Sequence, residues 1–351
     1  MDSSGDGHIP AADRWVQLYV SGDGNDRWSG SQPAPAADHS DGPFATLERA
    51  RDAIRDLART PRNDHGVVVY LRGGAYLRTQ SFSLDAHDGG SSQRPIVYRS
   101  YPNERARLVG GHPVANFGPV TDPGILDRLD PSARGKVLQA DLRAQNITDY
   151  GEFSALGFHR TITPAPLELF FEGEPMSLAH WPDAGFTTIT AAPAGPDGGR
   201  FTFDNPRLAR WIHCPDLWLH GYWTRDWADS YEKVKFINLG THEIVTEAPH
   251  GIYGYTKGKR FVVLNVLEEV TGPGEWYLDH ASGILYFWPP KPIHDGAVVV
   301  STLGQPLVEI HGASFVNFRD IGFECARGPG VVMTGASHNH LVQCAFSNLG
   351  S

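Results

Sequence analysis

Two stretches decide the fold: Val308-Glu-Ile-His-Gly-Ala-Ser314 and Val331-Val-Met-Thr-Gly-Ala-Ser337. Their Gly-Ala-Ser triplets lie 23 residues apart. At the same offset Ile310 meets Met333, Phe318 meets Leu341, Ile321 meets Cys344 and Phe323 meets Phe346. A period in the low twenties that keeps apolar positions in register marks one turn of a parallel β-helix. A leucine-rich repeat has a similar period but needs Leu at fixed positions, which these turns lack.

Upstream, the same short β runs appear between Gly-rich corners. Gln17–Val20, Val67–Leu71, Ser81–Leu84, Pro95–Tyr101 and Ala106–Val109 read as strands, closed by Gly73-Gly74 and Gly110-Gly111. One amphipathic helix is expected over about Phe44 to Leu57. Phe44, Leu47, Ala50, Ala53, Ile54 and Leu57 form its apolar stripe, suited to cover the open end of a sheet. Residues 112–297 differ: they are aromatic and irregular, with strands at Leu167–Phe171, Phe261–Leu264 and Ile284–Trp288. Asp279–Gly283 reads as a hairpin loop. The expected organisation is a flexible N-terminus (1–16), a cap and first turns (17–111), an inserted antiparallel β domain (112–297) and resumed, incomplete turns (298–351).

Composition agrees with an all-β chain. Of 351 residues, 39 are Gly and 26 Pro, with 9 Trp, 12 Tyr and 17 Phe. Gly and Pro together exceed their average share of about 12%, and turns plus aromatics suit strands. The net charge of −10 lacks the basic footprint of a nucleic-acid binder. No apolar run is long enough to span a membrane as a helix. Three Cys exclude a disulfide framework but leave room for one bridge. The N-terminus has no apolar segment of the secretory type, so localisation stays open.

The chain resembles right-handed parallel β-helix carbohydrate-active enzymes. It is most similar to β-helical glycoside hydrolases with an inserted β domain, of the type acting on pectic fucosides or xylan. The resemblance rests on Tyr19–Asp26 with Gly42–Ala50, on Tyr70–Tyr76 with Pro95–Tyr98, on Gly221–Asp229, and on Gly274–Asp279 with Gly283–Pro289. It implies a polysaccharide or oligosaccharide partner and export from the cell. It also implies catalytic carboxylates on later turns than this chain holds, so the chain reads as a fragment whose uncapped last turn invites self-association.

Glycosidic hydrolysis needs two carboxyl groups across the scissile bond. Asp226 and Asp229 are the best local pair, as weak catalytic candidates. Tyr222, Trp223, Asp226 and Trp227 are the expected substrate contacts, because ring faces stack on sugars. The plainer reading is an aromatic loop packed on the sheet with Asp as a turn former. Asp320 reads as a turn residue and Glu324 as a solvated one. His338 and His340 share a strand face but lack a third ligand, so no metal and no cofactor is expected. Asp23–Asp26 reads as a turn or cap. Cys214 beside His213 lacks a demonstrated base. Two alternatives stay open: a β-helical polysaccharide lyase, weakened by the negative charge, and a non-catalytic glycan-binding module.

Overall fold

The computed structural model describes residues 15–58, 65–193 and 199–350. Among them the protein is all-β, with short helices only. It forms two compact units: 1–111 with 303–350, and 112–302. The expected flexible N-terminus falls mostly outside the described residues. Trp15 and Val16, assigned to it, are strand residues paired with Gly66 and Val67.

In the first unit three parallel sheets share one apolar interior. The first sheet stacks Trp15–Val20, Gly66–Leu71, Ile96–Ser100, Val316–Arg319 and His340–Val342. Its register aligns Leu18, Val69, Tyr98, Phe318 and Leu341 in one column. The second sheet aligns Tyr76, Leu108, Phe323 and Phe346. The third aligns Leu84, Ile310 and Met333. The 23-residue sequence offset is therefore a pairing offset: Val308 lies opposite Val331 and Phe318 opposite Leu341. Val316–Arg319 pairs directly with Ile96–Ser100, although the second unit lies between them in sequence. Tyr98 and Phe318 stack there at 5.3 Å between ring centres, and both are fully buried. Each such side chain contributes about 1.5–3 kcal/mol by leaving water.

The helix α1 spans Leu47–Ala58 and starts later than the apolar stripe suggests. Phe44 is held as a β-bridge to Val20 instead. Leu47, Ala50 and Ile54 enter the interior as expected.

Ion pairs correct one expectation. Glu324 is not solvated: it is 8% exposed, and Arg105 and Arg107 donate to it at 2.9 and 3.1 Å. Burying that carboxylate requires such partners. Asp320, at positive φ, is a turn residue tied to Arg99 at 2.8 Å.

The second unit is mainly antiparallel. Its largest sheet runs His180–Trp181, Arg260–Leu264, Trp218–Gly221, Ser230–Asn238, Glu243–Thr246 and Arg200–Thr202, with Thr187–Thr188 beside Arg260–Leu264. Glu275–Asp279 and Ile284–Phe287 form the expected hairpin. The incoming strand Gly111–Pro113 and the outgoing strand Val298–Ser301 are neighbours in one sheet.

Candidate functional site

Tyr222–Asp229 is the long loop joining the strands Trp218–Gly221 and Ser230–Asn238, in which His220 faces Tyr231. A third segment closes on it. Phe158 N–H donates to the Asp229 carbonyl at 2.8 Å, and Gly157 bridges Ser230. Gly157 has φ +116, and a side chain there would meet the Asp229 carbonyl oxygen at 2.4 Å. Only glycine permits that approach.

The loop sorts its four expected contact residues into different environments. Trp223 is 3% exposed. Its indole N–H donates to the Ser230 carbonyl and hydroxyl, both at 3.1 Å, and its ring packs among Phe201, Tyr255 and Phe261. It presents no face to solvent, so the expected stacking role does not hold for it. The reason is a two-sided fit: an apolar ring inside and a partnered N–H. Trp227 is the opposite case, 62% exposed. Its ring meets Phe158 edge-on at 4.9 Å and Tyr253 at 6.0 Å. Phe158 and Tyr253 stack on each other at 6.2 Å, so the three rings form an aromatic ledge. A cavity of about 10 Å³ is lined by Phe158, Trp223, Ser230 and Tyr253 among others, room for roughly one water.

The polar residues of the same loop have partners of their own. Tyr222 lies under the Arg260 guanidinium at 4.1 Å. Asp226 accepts from Lys259 at 3.1 Å and from Arg260 at 3.2 Å, on opposite oxygens. Asp229 Oδ2 lies 2.9 Å from His220 Nε2, and the imidazole stacks on Tyr231 at 4.4 Å. Tyr231 is raised by burial first and then by the charges of Asp229 and Glu168. Glu168 is open to solvent yet crowded by protein, and that crowding lifts its carboxyl above the ordinary range. Asp226 and Asp229 are thus each committed to their own partners.

The support of the ledge is a buried carboxyl. Glu232 is fully buried; Ser230 Oγ donates to its Oε1 at 2.6 Å, and Arg160 approaches at 3.4 Å. Arg160 also donates to the carbonyls of Pro249 and His250, at 3.0 and 2.7 Å, which holds the chain leading to Tyr253. Burial pushes Glu232 up to about 7, against the pull of Ser230 and Arg160.

Sequence reasoning missed Phe158, Tyr253, Glu168 and Glu232. None of them stood out in sequence, because distant partners place them: Asp229 holds Phe158, and Arg160 approaches Glu232. The other candidates resolve simply. Burial and the Glu268 carboxylate push the Cys214 thiol far up, so it holds its proton. His338 stacks on Phe315 at 4.6 Å, and no cluster of metal-ligating side chains occurs among the described residues. Asp26 accepts from the backbone of Ala45 and Thr46, which makes the Asp23–Asp26 stretch a helix-start device. No helix of the described residues is long and apolar enough to cross a membrane.

No family model and no curated protein matches the chain. Among solved structures, a glycoside hydrolase matches with a TM-score of 0.68 at 17% identity, over 88% of this chain and 50% of its own. The chain thus spans about half the length of that protein, and the likeness is one of fold. A structure of XylC with xylose matches at a TM-score of 0.39 and 12% identity, over 89% of this chain and 36% of that one, too low to carry an argument.

Proposed function

From a fold shared with a glycoside hydrolase, we propose that this chain belongs to a polysaccharide-active protein of that type, built on a parallel β-helix. The observation that carries the reading is the exposed Trp227 ring on its ledge, in a loop that also holds the ion-paired Asp226. Sugar rings present C–H faces that stack on aromatic rings, and hydroxyls that hydrogen-bond carboxylates and guanidinium groups. Tyr222, Asp226 and Trp227 serve as the contacts. The reaction class is hydrolysis of a glycosidic bond by two carboxyl groups, one donating and one accepting a proton.

A second reading, a glycan-binding module without catalysis, draws on one observation. Asp226 and Asp229, the best local carboxyl pair, are each engaged by basic or imidazole partners. A panel of immobilised and soluble glycans, tested with the whole protein to which this chain belongs, separates the readings. The hydrolase reading expects retention together with new reducing ends and no ultraviolet absorbance from unsaturated products. Retention with no product leaves the binding module. Unsaturated products point to a lyase, and absence of both retention and product overturns the proposal.

A further inference from the structure

A separate concavity opens in the second unit, about 380 Å³ in volume. That falls within the range of about 300–1,000 Å³ typical of small-molecule sites. One wall is aromatic: Phe153 stacks on the His280 imidazole at 6.0 Å with 18° between the planes, and leans on Trp218 at 5.9 Å. The rest of the lining is mixed: Glu152, Asp216, Asp279 and Lys233 carry charge, and Pro215, Tyr277, Leu278 and Ala281 complete it.

Both aspartates are pre-oriented. Asp216 accepts from the Trp218 indole N–H at 2.9 Å and faces Lys233 at 3.5 Å. Asp279 accepts from Ala281 N–H at 3.0 Å and from the Ser282 hydroxyl at 2.6 Å. A carboxylate has about four lone-pair positions, so each keeps acceptor capacity for a ligand. Three carboxylates face one ammonium, and Lys233 is already engaged by Asp216. Burial holds His280 below the ordinary imidazole value, against the charges of Asp216, Asp279 and Glu152. It therefore offers one donor and one acceptor, as a hydroxyl-rich ligand requires.

We infer that this cleft is a second saccharide site, which takes the end of a neutral oligosaccharide on the Phe153–His280 wall and rejects uronates. The inference rests on the polysaccharide reading above and narrows it to a neutral glycan. A carboxylated sugar would meet two uncompensated negative charges in a partly desolvated cleft, and like charge there is unfavourable.

The test is calorimetric titration of the full chain with xylotriose, cellotriose and trigalacturonate. At least one neutral trisaccharide is expected to bind, and trigalacturonate is not. Phe153→Ala should weaken that binding about tenfold, the scale of one lost ring contact. Glu152→Lys, at an exposed position outside the packing, should admit trigalacturonate. The part of trisaccharide binding that Phe153→Ala removes should persist in Trp227→Ala. Unchanged binding in Phe153→Ala, or trigalacturonate binding the wild type as tightly as the neutral trisaccharides, overturns the cleft. Loss in Trp227→Ala alone leaves the ledge as the sole site. Loss in Phe153→Ala, with polysaccharide retention untouched in Trp227→Ala, keeps the cleft and removes the ledge. No binding of any glycan removes both.

Discussion

Glu232 has its folded-state carboxyl at about 7, above its ordinary value of 4.5. The native state therefore binds that proton more tightly than the unfolded chain does. The stability this adds is full below the unfolded value and is lost as the pH rises through the folded one. Glu232→Gln keeps a neutral group at every pH. Thermal melts from about pH 5 to about pH 8 should show the wild type losing more stability than the variant, and the variant more stable at the upper end. Parallel curves would refute the assignment. Two tryptophans four positions apart make a second contrast. Trp223→Ala should cost about 3–5 kcal/mol in a denaturant melt, because it empties a core position. Trp227→Ala should leave that melt unmoved and weaken polysaccharide binding about tenfold in a retention or titration assay. These two side chains were indistinguishable in sequence, since a loop has no periodicity to tell inside from outside.

At the scale of elements, strands were legible because short apolar runs between Gly-rich corners leave few alternatives. The runs at Val67–Leu71 and Ala106–Val109 are strands, and the Asp279–Gly283 turn joins a hairpin. The helix was legible in its stripe but not in its start. Its first turn is set by Thr46, whose hydroxyl accepts from Arg49 N–H at 3.1 Å and donates to Asp26 at 2.8 Å. Asp26 stands 20 residues upstream, beyond the reach of a local pattern. Thr46→Ala should cost about 1 kcal/mol in a urea titration, the usual price of a lost cap. No change in the midpoint would mean the sheet contacts alone hold α1.

At the scale of the whole molecule, the second unit begins and ends on neighbouring strands. Val114 N–H donates to the Val298 carbonyl at 2.9 Å. Adjacent ends are what an autonomous inserted unit needs. Residues 112–302 expressed alone should fold and melt in one cooperative transition by calorimetry. A broad, non-cooperative melt would show that this unit depends on the rest of the chain.

What the sequence determined by itself is local: which segments extend, where one helix lies, and the spacing of 23 residues at which strands stack. These follow from side-chain periodicity and turn chemistry, which act over a few residues. Tertiary structure decided everything that needs a distant partner. Tyr98 stacks on Phe318, Glu324 gathers Arg105 and Arg107, and Trp223 turns inward while Trp227 stays out. Burial and ion pairing depend on which surfaces meet in space, and a chain read in order does not contain that meeting.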